Sequence, residues 1–235
     1  MTSRSNLLSL AFSLLFTGCI SIGYAQPAPA VVPNPSPSSF DAATREANQL
    51  LIQGKLDEAL AKINPVIQAD PKNANAFLVR GNIYSRKKSY EEARADYDSF
   101  LQLAPQDPKA IIIKFNRAEV SFLQKKYDEA RPGFDAIKTD EDWGDLAIYK
   151  VFLCDLLGGH EDVARKELDA FNQVGSKASY YFANAAWDLL HHKPEEARTW
   201  LLSIGRIYSP EKIELYSSSL KELGYLPLPA PPTTN

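Results

Sequence analysis

The sequence predicts an all-α fold in which about five helix pairs stack into an α-α solenoid, followed by a C-terminal capping helix. A short acidic segment followed by alanine recurs five times along the chain. Between residues 40 and 224, Gly and Pro fall mostly at predicted turns, and the apolar residues follow a helical period. The hydrophobic content of 45% is enough for a packed core, and the net charge of −3 without a dense Lys/Arg block argues against a nucleic-acid partner.

The recurring segment has the same residue pattern in all five copies. In each copy a pair of acidic residues precedes an alanine, and a bulky residue follows the alanine after four positions. The alanines are Ala59, Ala93, Ala130, Ala164 and Ala197, and the bulky residues are Ile63, Tyr97, Phe134, Leu168 and Leu201. A small residue lets two helices approach closely, and a bulky residue one turn later fills the adjacent space. Because a single helix pair leaves an apolar face exposed, the pairs are expected to stack on one another.

The segment resembles the tetratricopeptide repeat (TPR), a helix–turn–helix unit. The second copy matches best, and its aromatic, small and proline positions are Phe77, Gly81, Tyr84, Tyr90, Ala93, Tyr97 and Pro105. The resemblance is strong in the first two copies and weaker toward the C-terminus. The predicted repeats are residues 40–73, 74–107, 108–144, 145–177 and 178–209, and the predicted capping helix is 210–224.

The two ends of the chain lie outside the repeats. Residues 1–25 combine a basic residue, an apolar run and small residues, which predicts a signal peptide cleaved after Ala25. Residues 26–39 are rich in proline and are expected to form an extended linker, and residues 225–235 a disordered tail. Alternatively, Phe16-Thr17-Gly18-Cys19 resembles a bacterial lipobox, which implies a lipidated Cys19 and an anchor in an envelope membrane. Both interpretations predict an exported bacterial TPR protein, either periplasmic or secreted, or lipid-anchored.

Motifs for catalysis or cofactor binding are missing from the sequence. It contains no Gly-rich phosphate loop, Cys-x-x-Cys, His-Glu-x-x-His or Gly-x-Ser-x-Gly segment. We therefore expect no enzyme activity, no cofactor and no metal site. The three histidines, His160, His191 and His192, are expected in polar turns, and Cys154 is expected to be a buried hydrophobic residue. The acidic pairs fall in the first turns of helices, where the helix dipole favours negative charge.

The resemblance implies that the first helices of successive pairs line a groove for a peptide or a helix of another protein. The groove positions carried over from the family are Asn48, Asn82, Arg86, Asn116, Tyr149, Leu153 and Phe182. A clamp for a C-terminal carboxylate is not expected, because most of the residues that it needs are replaced. We hypothesise that Tyr149, Leu153 and Phe182 form an aromatic patch for an amphipathic partner segment. The alternative is that the apolar helix carrying the first two is buried on every side.

The predicted function is that of a non-enzymatic scaffold or adaptor, acting outside the cytoplasm, that holds a protein or peptide partner. The alternative is a lipid-anchored assembly or regulatory subunit of a cell-envelope machine, such as one for secretion, polysaccharide or outer-membrane biogenesis. Contact with a membrane is expected only if Cys19 is lipidated.

Overall fold

The computed structural model describes residues 37–174 and 177–227, and all the regular structure in these ranges is helical. The predicted all-α solenoid is confirmed. The helix pairs are α1 (Pro37–Ile52) with α2 (Leu56–Ala69), α3 (Ala74–Arg86) with α4 (Tyr90–Leu103), α5 (Ala110–Leu123) with α6 (Tyr127–Asp135), α7 (Gly144–Leu157) with α8 (Glu161–Val174), and α9 (Ala178–Leu190) with α10 (Pro194–Ile207). A last helix, α11 (Pro210–Glu222), follows.

The two ends of the chain lie largely outside the described residues. The expected signal peptide, Cys19 and the linker up to residue 36 are not described, nor are residues 228–235. Helix α1 begins at Pro37, three residues before the repeat boundary drawn from the sequence. Proline suits the first turn of a helix because its missing N–H has no intrahelical partner there.

The turn inside each helix pair is a left-handed cap that recurs at the repeat period. The residues with positive φ at these turns are Gly54, Lys88, Lys125, Gly159 and His192. Each lies five positions before one of the repeated alanines. After each, the next N–H donates to a carbonyl five residues earlier, as from Ser89 to Tyr84 at 2.9 Å. This pattern closes the first helix and redirects the chain into the second.

The small residues pack the two helices of a pair closely together. All five repeated alanines are fully buried, and Ile63, Tyr97, Phe134 and Leu168 are buried beside them, whereas Leu201 is half-buried. Gly81 on α3 lies so close to α4 that a Cβ atom added there would stand 2.8 Å from Cε1 of Tyr97. Only glycine fits this approach without displacing the ring.

Neighbouring pairs are joined by a ladder of polar contacts between their turns. A basic residue or histidine in the turn of one pair reaches an acidic residue in the first turn of the preceding second helix. The contacts are Lys87–Asp57 (2.5 Å), Lys126–Glu91 (3.0 Å), His160–Asp128 (3.0 Å) and His191–Glu161 (2.9 Å). The acidic pairs therefore bind the next repeat, besides lying at the positive end of a helix dipole.

Helix α7 is the centre of the C-terminal half, as the alternative of burial on every side predicted. Eleven of its 14 residues are buried, including Lys150 and Asp155. Asp155 accepts hydrogen bonds from Nε of Arg131 on α6 at 2.8 and 2.9 Å. The largest hydrophobic cluster surrounds α7 and draws on α5 through α11.

Helix α11 was expected to cap the open end of the stack, and this accounts for only part of its packing. It contacts α10, as a cap would, but its buried side chains lie on the face formed by the first helices. The ring of Tyr216 stacks between Tyr149 of α7 and Phe182 of α9, with centroids 5.7 and 5.3 Å apart. Helix α11 takes this position because the two rings offer Tyr216 aromatic partners on one face.

Candidate protein-binding groove

The face formed by the first helices has an open half and an occupied half. The open half is lined by α1, α3 and α5, and contains two cavities of about 440 and 330 Å³. The occupied half consists of α7 and α9, and α11 lies over it. The predicted groove residues are divided between the halves. Asn48, Asn82, Arg86 and Asn116 line the cavities of the open half.

The smaller cavity lies between α1, α3 and α5, and a few polar side chains contribute to an otherwise apolar lining. The buried Tyr97 donates a hydrogen bond of 2.9 Å to Oδ1 of Asn82, which leaves the Asn82 amide N–H groups directed elsewhere. Nη1 of Arg86 donates to the backbone carbonyl of Leu51 at 2.9 Å, at the C-terminal end of α1. The same carbonyl also accepts from the N–H of Gly54, and the additional bond fixes the guanidinium at the rim. Burial raises the pKa of Tyr97, so its phenol stays protonated and remains a donor.

The larger cavity lies between α1 and α3, and its rim is charged. Its lining residues are Asp41, Thr44, Arg45, Asn48, Gln49, Asn75, Leu78, Val79 and Lys109. Lys109 Nζ donates to Oδ1 of Asn75 at 2.8 Å, which links the start of α5 to α3. The cavity thus combines a small apolar floor with amide and charged groups at the edge.

Two asparagine amides in the open half have no hydrogen-bond partner among residues 37–174 and 177–227. Asn48 is exposed and Asn116 is half-buried, and neither side chain bonds to another described residue. A side-chain amide offers both a donor and an acceptor, the two groups that a peptide backbone needs. The open half can therefore bind main chain without a change in its internal hydrogen bonds.

The aromatic patch predicted from the sequence is wrong as an accessible surface. Tyr149, Leu153 and Phe182 are each 0% exposed. Tyr149 and Phe182 are covered by Tyr216 of α11, and Leu153 belongs to the same buried cluster. These three residues lie on the first helices, as predicted, but a segment of the same chain already packs over their half of the face.

Two polar contacts hold α11 on this face. The Tyr216 hydroxyl donates to Oδ2 of Asp145 at 2.6 Å, and Asp145 also accepts from the Ser179 hydroxyl at 2.5 Å. The fully buried Lys150 donates to Oγ of Ser219 and to Oε1 of Glu119, both at 2.6 Å. The half-buried Asp145 and the buried Lys150 are thus both hydrogen-bonded in part by α11.

Sequence reasoning did not predict the contacts of Asp145 with Tyr216 and of Lys150 with Ser219, although Lys150 carried a signal. Lys150 stands in the middle of the apolar run from residue 146 to 154. A lysine in a helix that is otherwise apolar indicates a buried partner, because an unpaired buried ammonium is costly. The partners Glu119 and Ser219 lie 31 and 69 residues away, so no local pattern identifies them.

The comparisons with known proteins agree with this architecture. Residues 44–108 match the tetratricopeptide repeat family, and these residues span α2, α3 and α4, which carry the best repeats. This part of the chain belongs to the tetratricopeptide repeat family. It is 37% identical over 86 residues to Protein O-mannosyl-transferase TMTC1 of Homo sapiens, a match that covers 37% of the chain and 9% of that relative. The chain spans 9–13% of the length of the curated relatives that it matches.

Two solved structures share the fold of this TPR protein. The type IV pilus biogenesis factor PilW is 19% identical, with a TM-score of 0.55 over 81% of this chain and 89% of PilW. The TPR protein YrrB, which has an unusual peptide-binding site, is 20% identical, with a TM-score of 0.50 over 76% of this chain and 91% of YrrB. At this identity the likeness establishes the fold alone.

Reactive groups of the TPR chain serve its packing. Burial raises the pKa of the Cys154 thiol to about 12, and the thiol is 1% exposed. His160 and His191 belong to the ladder between turns. Within the described ranges no group of three His, Cys, Asp or Glu side chains is placed to hold a metal ion. Across the same ranges, every helix is too short or too polar to span a bilayer.

Proposed function

We propose that this TPR protein is a non-enzymatic scaffold that holds a peptide or helix of another protein in the open half of its groove. The observation that carries the proposal is the pair of cavities lined by Asn48, Asn82, Arg86 and Asn116. Two of these amides have no internal partner among the described residues, and Arg86 is fixed at the rim.

The chemistry of the open half favours a main-chain ligand with one apolar anchor. The amides of Asn82 and Asn116 are spaced along α3 and α5, where they can bond to successive peptide groups. Ile52 lines the same cavity and is 71% exposed, so it offers an aliphatic surface to a ligand beside the amides. YrrB shares the fold and has a peptide-binding site, which is compatible with this use of the scaffold.

Site-specific photocrosslinking in the native host tests the proposal. A photoreactive residue at Asn116 is expected to give a discrete protein adduct, and the same residue at the exposed Gln68 of α2 serves as the matched control. Arg86→Glu is expected to abolish the adduct at position 116, whereas Arg206→Glu on the exposed part of α10 is expected to preserve it. Identical adducts at positions 116 and 68, or an adduct insensitive to Arg86→Glu, would refute the groove as the binding site.

We also propose that the protein acts outside the cytoplasm, on the basis of residues 1–25. The second candidate is a lipid-anchored assembly or regulatory subunit of a cell-envelope machine, which the lipobox-like Phe16–Cys19 segment favours. PilW is a pilus biogenesis factor, but 19% identity carries the fold and not that role. The intact mass of the mature protein separates the two. A chain that begins at Gln26 supports soluble export, and a diacylated Cys19 supports the anchored subunit.

A further inference from the structure

The occupied half of the groove forms a docking surface for one helix. We call this surface the seat, and its residues in contact with α11 include Tyr149, Phe182, Asp145 and Lys150. Helix α11 contributes three groups to the contact. They are an aromatic ring with a hydroxyl donor at Tyr216, a small acceptor at Ser219 and a buried aliphatic side chain at Leu220. These positions are i, i+3 and i+4, which lie on one face of a helix. Each meets a matching feature of the seat, namely the carboxylate of Asp145, the ammonium of Lys150 and the apolar cluster around α7.

The fit between α11 and this seat is incomplete. The Tyr149 hydroxyl is fully buried beneath α11 and has no hydrogen-bond partner among the described residues. Oε2 of Glu119, whose other oxygen binds Lys150, is also buried without a partner there. A buried polar atom without a partner destabilises the arrangement that buries it. A helix that offered hydrogen-bonding groups to these two atoms would therefore complement the seat better than α11.

We propose that the α7–α9 half of the groove is a second docking site, for an amphipathic helix of a partner protein, and that α11 is its exchangeable internal occupant. The partner helix carries an aromatic hydroxyl at i, a small hydrogen-bonding residue at i+3 and a leucine at i+4. This site adjoins the open half at Glu119, which lines the smaller cavity and binds Lys150. The two proposals are distinguished by their measurements, because one follows the exchange of α11 and the other follows crosslinking at Asn116.

Binding of a synthetic helix in trans tests the proposal on the full chain. The probe is a fluorescein-labelled peptide with the sequence of residues 209–224, followed by anisotropy. Tyr216→Ala/Leu220→Ala in the protein is expected to release α11 and to bind the probe at least about tenfold more tightly than the wild-type chain, whose tethered helix competes at millimolar effective concentration. A probe carrying Tyr216→Ala is the matched control and is expected not to bind.

A conservative variant covers the case in which the double variant fails to fold. Tyr216→Phe removes only the bond to Asp145, and it is expected to speed amide exchange in α11 while exchange in α3 and α4 stays unchanged. Three results would each overturn the proposal. They are equal binding of the probe to the wild type and to the Tyr216→Ala/Leu220→Ala protein, binding of the control probe, and unchanged amide exchange of α11 in Tyr216→Phe. A dimer of the wild-type chain that Tyr216→Phe weakens would also overturn it, because the seat would then belong to α11 of a second copy.

Discussion

Gly81 is the position where a single methyl group should be most informative. A Cβ added there would lie 2.8 Å from Cε1 and 3.0 Å from Cδ1 of Tyr97, and 3.3 Å from Cβ of Asp96. The Tyr97 ring is 2% exposed and its hydroxyl bonds to Asn82, so it has little room to move. Overpacking of this kind costs about 1–3 kcal/mol. Replacing glycine by alanine in a helix interior returns up to about 1 kcal/mol.

Gly205→Ala separates these two effects. Gly205 is an exposed glycine within α10, and an added Cβ there meets nothing within 4 Å. The control variant should gain up to about 1 kcal/mol in the free energy of unfolding, whereas Gly81→Ala should change it by between zero and a loss of about 2 kcal/mol. Since the helix propensity cancels, the difference of about 1–3 kcal/mol measures the steric cost.

Urea unfolding of both variants, followed by far-UV circular dichroism, measures this difference. Because Tyr97 positions Asn82, Gly81→Ala should also weaken the photocrosslink at Asn116, whereas Gly205→Ala should not. A Gly81→Ala protein as stable as Gly205→Ala would show that α3 and α4 do not approach as closely as described.

Four further outcomes follow from single side chains. The pKa of His191 is raised, first by its hydrogen bond to Glu161. Its contribution to stability is therefore complete below the pKa of the unfolded state and is lost as the pH rises through the pKa of the folded state. His191→Gln should remove this part of the decrease in the urea midpoint as the pH rises above 6. Burial and then Asp155 raise the pKa of Glu167 to about 7, so the folded state favours the protonated form; Glu167→Gln should raise the urea midpoint at pH 8 and not at pH 4. Lys125→Gly should raise the free energy of unfolding by up to about 1 kcal/mol, because it relieves a lysine at a φ of 61°. The Cys154 thiol should react with Ellman's reagent only when the protein is unfolded, as a comparison with and without urea would show.

The repeat architecture was accessible to sequence reasoning because its determinants are local. The alanine at each second helix and the bulky residue one turn later lie within five residues of each other. Periodicity over such a distance fixes which face of a helix is buried. The left-handed turns recur at the same period, although at Lys88, Lys125 and His192 no glycine signals them. At these three positions the repeat register, and not the residue type, indicates the turn.

The predicted groove positions line open cavities only where the local repeats control their placement. Asn48, Asn82, Arg86 and Asn116 follow from their places in the first three copies, and they line the open half. Tyr149 and Phe182 follow from the same rule, yet α11 covers them through contacts with residues 34 to 67 positions later in the chain. A pattern within one helix identifies an apolar stripe on α11, but it does not specify which surface that stripe will cover.

The contacts of α11 also bear on how the chain reaches its folded state during synthesis. Helix pairs that touch only their neighbours can form one after another as the chain emerges. The bond between Lys150 and Ser219 spans 69 residues, and that between Asp145 and Tyr216 spans 71. Because α11 is translated after every helix that it contacts, the aromatic face of α7 and α9 stays uncovered until α11 has been synthesised. During that interval Lys150 has only Glu119 and water as partners, and a chaperone or a partner helix has its earliest opportunity to bind.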